Sequence, residues 1–411
     1  MRDVLHLWLR GDRLGQVQRL QNGRLRLRFA PSALDAFGVG ARPLSLSLPL
    51  TDKRLDGDQV ERFLDNLLPE GSARSALERE HHLRPGDTFG LLGVLGRECA
   101  GAVQLTVEDS PTGHGYLLPL SEDAVNEMVS RLPTLDPPEG AVVSASLGGV
   151  QSKVLLTKAA DGWAWPSDGA MSTHIIKPEP ISDVVVPDLV RWEEWALRVA
   201  RTAGVPAARA QLEDFDGRAA IVVERFDRSE GKRVHQEDFA QALGISSRDK
   251  YETSSTGTTR LRTIAQDAGS EAIRREDFIA ELLAQVAFNL LLGNGDAHAK
   301  NYSLAISSAA TYSLTPLYDV APVFLINKQL QHFGHVVDGQ PRLPYITARH
   351  LLNEAGRWGT RATVVRRVLE QVSSRVHDAV ASCEGRGIDV DVVAETIRTR
   401  AQQMLTTVRA D

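Results

Sequence analysis

Leu290-Leu-Leu-Gly-Asn-Gly-Asp296-Ala-His-Ala-Lys-Asn301 is the stretch on which the reading of this chain turns. An apolar helical run reaches two glycines, Gly293 and Gly295, and then presents several polar groups, so a helix is expected to stop there and project a loop. Within that loop Asp296 and Asn301 stand in the D-x-x-x-x-N spacing of a kinase catalytic loop, where the aspartate accepts the acceptor hydroxyl's proton and the asparagine binds a metal. The His-Arg pair that usually precedes the aspartate is absent. Further on, Leu317-Tyr318-Asp319-Val320 places a carboxylate after an apolar pair, the position and type expected of a second magnesium ligand. A purely structural alternative stands beside this reading, with Asp296 and Asn301 as turn formers and Asp319 as a helix cap. His298 suggests another, a hydrolase whose ion is shared by Asp296, His298 and Asp319. No second histidine lies at helical or strand spacing to complete such a site, so His298 is read as orienting the loop, with Lys300 beside it in support.

Three upstream motifs extend the pattern. Ser144-Ala-Ser146-Leu-Gly148-Gly149-Val-Gln-Ser-Lys153 precedes an apolar run; paired glycines let backbone N–H groups approach phosphate oxygens, and Lys153 adds charge. The segment is not a Walker A pattern and equally fits an ordinary turn. Thr173-His-Ile-Ile-Lys177-Pro178 ends a strand on a lysine that can reach nucleotide phosphates, with Glu193 on the following helix as its partner; a solvated strand-end lysine fits as well. Ala220-Ile-Val-Val-Glu224-Arg-Phe226-Asp227-Arg228 is an apolar strand that breaks into charge. Kinases bind adenine at such a junction, with Phe226 flanking the ring and Asp227 on the ribose hydroxyls. The order of these motifs matches the order of parts in a kinase.

At 411 residues, two or three packed lobes are expected rather than one core. Hydrophobic residues at 42% and charged residues at 24% exclude a disordered or fibrous chain, and the formal net charge of −6 supplies no global field for nucleic acid. Cys99 and Cys383 have no metal-ligand spacing, the start Met1-Arg-Asp-Val4 lacks a secretion signal, and a reducing cytoplasm is expected. The greasiest run, Phe278 to Leu292, is interrupted by Glu281, Gln285 and Asn289 and is too short for a bilayer of roughly 30 Å, which predicts a buried helix and no membrane association.

The first hundred residues favour short strands, at Leu25 to Phe29 and at Leu44 to Leu48, where leucines alternate with serines. One helix carries Val60, Phe63, Leu64, Leu67 and Leu68 and ends near Pro69. Residues 111–136 show no clear pattern and lead to a linker at Pro133, Pro137 and Pro138. Further helices are expected at Asp188–Ala203, capped by Gly204, and at Asp277–Leu292, Thr347–Arg357, Arg361–Glu384 and Asp389–Val408. The polar stretch Ser246 to Thr259 is expected to be a mobile loop.

The combined motifs resemble the HipA family of toxin kinases, remote relatives of phosphatidylinositol kinase-like and protein kinase folds. Leu44-Ser-Leu-Ser-Leu-Pro49, Phe63-Leu-Asp-Asn-Leu-Leu-Pro-Glu-Gly71 and the segment Phe89 to Ala102 are similar to its N-terminal subdomain. Gly149 to Lys153, His174 to Pro178, Glu224 to Arg228, Gln236-Glu-Asp238, Lys250-Tyr-Glu252, Gly293 to Asn301 and Leu317-Tyr-Asp319 are similar to its kinase part. The resemblance implies an α+β, two-lobed, protein-kinase-like fold. A β-rich N-terminal subdomain would occupy residues 1–110, an N-lobe 111–229 and an all-helical C-lobe 230–411. It implies ATP and Mg2+ as cofactors, Asp296 as base, Asn301 and Asp319 as metal ligands, and Lys177, Lys153, Gly148 and Gly149 at the phosphates. Glu224 and Phe226 would contact adenine, Asp227 and Gln236 the ribose, and Ser146 would be autophosphorylated. It further implies a helix-turn-helix antitoxin of the HipB type, operator DNA bound mainly through that antitoxin, and a protein substrate such as the glutamyl-tRNA synthetase. Two departures stand out: Ser152 replaces an acidic residue or proline, and the glycine pair is more flexible than usual. A small-molecule kinase and a non-catalytic co-repressor remain as alternatives.

Overall fold

The computed structural model describes residues 3–111, 115–134, 137–141, 151–181, 185–255 and 257–410. Its contacts divide the chain into two units. The first comprises Met1–Pro178, Glu213–Ser247 and Ala305–Thr311; the second comprises Glu179–Leu212, Arg248–Leu304 and Tyr312–Asp411.

In the first unit, alternating apolar residues build β1 (Val4–Leu9), β2 (Asp12–Arg19) and β3 (Leu25–Phe29), which lie in a five-stranded sheet ordered β4-β3-β2-β1-β5 with β4 (Leu55–Asp56) and β5 (Val103–Thr106). Leu5, Leu7, Val17, Leu27 and Phe29 share a buried cluster with Val60, Phe63 and Leu64 of α2 (Asp58–Asp65) and Leu91, Leu92 and Leu95 of α4 (Thr88–Leu95). Around them lie α1 (Pro31–Phe37) and α3 (Gly71–Glu80). The strand expected at Leu44 to Leu48 does not form. Leu44 and Leu48 are buried, but the segment is irregular because partners distant in sequence satisfy its backbone: Leu46 N donates to Glu237 (2.8 Å) and Leu44 O pairs with His235 Nε2 (2.8 Å).

A six-stranded sheet follows, ordered β10-β11-β9-β7-β8-β6, from β6 (Tyr116–Leu120), β7 (Val154–Ala159), β8 (Gly162–Ser167), β9 (His174–Pro178), β10 (Ala210–Phe215) and β11 (Arg218–Glu224). One face packs Val154, Ile176 and Val222 against Val125, Met128 and Val129 of α5 (Glu122–Arg131). The stretch 111–136 therefore holds β6 and a helix. That helix is capped by Ser121, whose hydroxyl accepts from Ala124 N at 3.2 Å, a cap that no periodicity count detects. The unit also contains the short helix α7 (Phe239–Ala242).

A buried ionic network ties the segment after β11 to residues 98–101. Glu98, fully buried, accepts from Arg225 (3.0 Å), Arg228 (2.9 Å) and the Ser172 hydroxyl (3.0 Å), and it pairs with Arg233. Asp227 accepts from Arg225 Nε (2.9 Å) and Nη2 (2.8 Å) and from Gly101 N (2.7 Å). The arginines hold both carboxyls below their usual range in spite of burial.

The second unit is mainly helical: α6 (Leu189–Thr202), α8 (Arg260–Ser270), α9 (Arg275–Leu292), α10 (Val323–Ile326), α11 (Ala348–Arg357), α12 (Ala362–Ser382) and α13 (Asp391–Ala410). α6, α9, α11, α12 and α13 lie where the sequence reading expected helices, whereas α8 was not expected. α12 packs α6, α9, α11 and α13 around itself. Its stripe of Val365, Leu369, Val376 and Val380 is buried, each side chain contributing about 1.5–3 kcal/mol. Gly204, with φ +74, follows α6 and donates to Arg201 O at 3.0 Å. The loop expected to be mobile is pinned by Glu252, buried, whose carboxylate accepts from Arg260 N (3.1 Å) and Val336 N (3.0 Å). Among the described residues no helix is long and apolar enough to cross a membrane.

Removing Glu98 leaves three arginines without their shared buried carboxylate. Glu98→Ala is expected to lower the unfolding free energy by about 3–5 kcal/mol, measured by urea titration of the full chain. Glu237 gives a pH signature. Burial raises its pKa from 4.5 to about 8, so between those values the folded state keeps a proton the unfolded state has lost, and stability falls as pH rises through the window. The stability difference between wild type and Glu237→Gln, measured by thermal unfolding from pH 4.5 to 8, is expected to shift against the wild type as pH rises.

Candidate active site

In the second unit, α9 ends on Gly293 in the left-handed region (φ 76°), with Asn294 N donating back to Asn289 O at 2.9 Å. Buried Asn289 donates to the Tyr302 hydroxyl (2.8 Å) and accepts from Asn294 Nδ2 (2.8 Å); Asn294 Oδ1 in turn accepts from Asp296 N (3.0 Å). Asn301 Nδ2 donates to Asp296 O at 2.8 Å. The loop is thus closed on itself by amide side chains. Asn301 is anchored by its nitrogen, so its carbonyl oxygen is the atom of the kind a hard cation takes.

Around this ring Asn294, Ala297, His298, Ala299, Lys300 and Asn301 are buried, whereas the Asp296 side chain is 48% exposed. His298 Nδ1 accepts from Lys300 N (3.2 Å), which leaves the ring proton on Nε2, 3.7 Å from Asp296 Oδ1. The Tyr251 hydroxyl donates to Asp296 Oδ1, and the Tyr251 ring meets His298 edge-on at 4.9 Å. Tyr318 links the second carboxylate to the loop: its hydroxyl donates to Lys300 O (2.9 Å) and pairs with Ser303 Oγ (2.6 Å). Asp319, next in sequence, adopts φ +56, a conformation that non-glycine residues hold only where the surroundings enforce it. The flanking backbone is enforced by Leu317, which exchanges hydrogen bonds with Pro206 O and Ala208 N, both 2.8 Å. Among the described residues, no group of three or more His, Cys, Asp or Glu side chains is arranged to hold a metal ion, so the hydrolase site of Asp296, His298 and Asp319 does not assemble. An Asn–Asp oxygen pair completed by phosphate oxygens is the donor set that suits magnesium.

In the first unit, Lys177 lies on β9, paired with Ile221 of β11 and on the face opposite the Ile176 cluster; it is 7% exposed. Lys153, half-buried, immediately precedes β7. Glu224 ends β11 exposed, Phe226 is half-buried, and Gln236 begins the short strand Gln236–Asp238 with its Oε1 buried and unpartnered among the described residues. Asp227 differs from the sequence reading's picture of a ligand contact: its carboxylate is buried and accepts from Arg225 and Gly101. Glu193 is buried on α6 of the second unit. Ser146, Gly148 and Gly149 lie outside the described residues.

Sequence reasoning assigned no role to Tyr251, Asn289, Tyr318 or Gly334. Tyr251 stood inside a motif quoted for resemblance alone, Tyr318 counted only as one of the apolar pair before Asp319, and Asn289 was visible only as an interruption of an apolar run. Gly334 carried no signal, since its partner is 37 residues away: with φ +93, a Cβ there would lie 2.5 Å from the Ala297 carbonyl carbon and oxygen.

Residues 5–106 match the family described as the HipA N-terminal domain, and residues 145–380 match the HipA-like C-terminal domain. The serine/threonine-protein kinase toxin HipA of Shewanella oneidensis is 29% identical over 359 residues, covering 82% of this chain and 80% of that protein. The protein Y4mE of Sinorhizobium fredii, named as a candidate kinase, is 34% identical over 331 residues, covering 77% of this chain and 76% of its own. A solved structure of the Shewanella oneidensis HipA with HipB and operator DNA superimposes with a TM-score of 0.79 at 26% identity, covering 99% of this chain and 97% of that one.

Gly334→Ala is expected to displace the catalytic-loop backbone at Ala297 and His298. Thermal unfolding should show a destabilisation of about 1–3 kcal/mol, with phosphotransfer reduced in parallel.

Proposed function

Because the chain belongs to the HipA family of serine/threonine-protein kinase toxins, we propose that it transfers the γ-phosphoryl group of ATP, with Mg2+, to a serine or threonine hydroxyl of a protein. The observation that carries this reading is the half-exposed Asp296 carboxylate, presented by a loop whose other polar side chains are buried and whose Asn301 is clamped onto the Asp296 carbonyl. Asp296 accepts the hydroxyl proton as the acceptor oxygen bonds to the γ-phosphorus and ADP departs. Asn301 and Asp319 supply oxygen ligands for Mg2+, which when bound neutralises charge on the phosphoryl group. Lys177 and Lys153, with Gly148 and Gly149, serve the phosphates; Glu193, His298 and Lys300 are supporting residues. Glu224 and Phe226 contact adenine. Gln236, whose Oε1 is enclosed without a partner among the described residues, is the better-supported ribose contact; Asp227 acts first by fixing the segment that carries Phe226.

The same reading includes self-inactivation by phosphorylation of Ser146. It also includes a cytoplasmic protein target of the aminoacyl-tRNA synthetase class, so that phosphorylation arrests translation. The relative solved with HipB and operator DNA supports a HipB-type antitoxin as partner, with operator DNA reached mainly through it, which suits this chain's net charge of −6. Incubating wild-type and Asp296→Ala chains with γ-labelled ATP, Mg2+ and cytoplasmic extract is expected to label Ser146 and a discrete acceptor protein with the wild type alone. Mass spectrometry identifies both; undiminished labelling by Asp296→Ala would reject the assignment of the base.

A further inference from the structure

Tyr251 belongs to a segment expected to be mobile, yet both its neighbours are fastened to the catalytic-loop unit. Lys250 O accepts from Ala299 N (3.1 Å) and from Arg260 Nη1 (3.2 Å), while Glu252 N donates to Gly334 O (2.8 Å), the glycine packed against Ala297. The ring between these anchors stands edge-on to buried His298 at 4.9 Å, and its hydroxyl donates to Asp296 Oδ1. His298 Nε2 approaches the same oxygen at 3.7 Å. Two polar groups carried by separate segments thus converge on one oxygen of one carboxylate. The Tyr251 hydrogen bond restrains the rotation of the carboxylate plane, a freedom that backbone hydrogen bonds to Asp296 N and O leave open.

We propose that Tyr251 is a positioning residue for phosphotransfer, holding the Asp296 carboxylate in the rotamer that receives the acceptor hydroxyl. The inference rests on the kinase reading above and deepens it. An exposed tyrosine hydroxyl on the base invites the opposite reading, a stand-in for the acceptor that blocks the base until displaced. The fastening of residues 250 and 252 to the loop favours positioning, because a displaceable mimic needs a segment that can leave. Alignment of the base acts on the chemical step rather than on binding of either substrate.

The test compares wild type, Tyr251→Phe and Asp296→Ala on the acceptor protein labelled by the wild type, with steady-state kinetics in ATP and in acceptor. Tyr251→Phe keeps the ring against His298 and removes only the hydroxyl. The expected result is a fall in kcat of about ten- to a hundredfold, the usual worth of a hydrogen bond to a charged group. Both KM values should stay within about twofold and the melting temperature should not change. An unchanged kcat with Asp296→Ala inactive would overturn the positioning role and leave the base assignment standing. A higher kcat would establish the acceptor-mimic reading instead, and a loss shared with KM or melting temperature would reduce Tyr251 to a structural contact. Full activity of Asp296→Ala, or a wild type that labels nothing, would remove the parent reading and this one with it.

Discussion

The Asn289 side chain is the interaction on which the catalytic loop depends. It sits in the last turn of α9, almost fully buried, donating to Tyr302 on the exit side of the loop and accepting from Asn294 on the entry side. A buried amide with unmade hydrogen bonds costs about 1–3 kcal/mol per group, so the helix end is stable only when both sides of the loop are in place. One side chain thereby makes the path of residues 293–302 a condition for burying α9. Gln285, one turn earlier, does the same for the strand that leads to Asp319, through its bond to Thr315 O at 2.8 Å. Two of the three residues that interrupt the apolar run, Gln285 and Asn289, are those that fasten both carboxylate-bearing segments.

Local signals carried the helices and the motif, and long-range partners decided the remainder. Apolar periodicity found α6, α9, α11, α12 and α13 because each buries a stripe and ends on a local cue such as Gly204 or Gly293. It failed at Leu44 to Leu48, where a perfect two-residue alternation yields no strand, because the segment's backbone is met by Glu237 and His235, nearly two hundred residues away. It failed again at Lys250 to Glu252. A polar stretch reads as mobile, but Glu252 closes onto Arg260 N and Val336 N, contacts that have no trace in the stretch itself.

The candidate site was legible as residue types at set spacings, and less so as roles. The roles proposed for Asp296, Asn301 and Asp319 rest on spacing, since the chemistry asks for a carboxylate and two oxygen donors in that order. Glu224 to Arg228 shows the limit of such reasoning. Of five consecutive charged or aromatic residues, Glu224, Phe226 and Asp227 read as ligand contacts, yet Asp227 is consumed with Arg225, Arg228, Glu98 and Arg233 in a buried network. Glu98 lies within the segment that matches the N-terminal family domain, and the arginines lie within the C-terminal one. The motif's alternation therefore sorts outward residues, Glu224 and Phe226, from inward ones that anchor them.

Asp319 shows why this arrangement needs so much support. A left-handed aspartate costs about 1–3 kcal/mol, and it persists where neighbours over-determine the backbone. Here Leu317 is bonded on both sides to the Pro206–Ala208 segment, and Tyr318 reaches back to Lys300 and Ser303. The strained residue thus follows two anchored residues, of which Tyr318 is fastened to the loop that carries Asn301. Any shift of that loop is passed through the Tyr318 hydroxyl to the residue beside Asp319. The proposed magnesium donors Asn301 and Asp319, eighteen residues apart in sequence, lie on segments joined by the Tyr318 hydroxyl, the kind of support that a cation as small and geometrically demanding as magnesium would require.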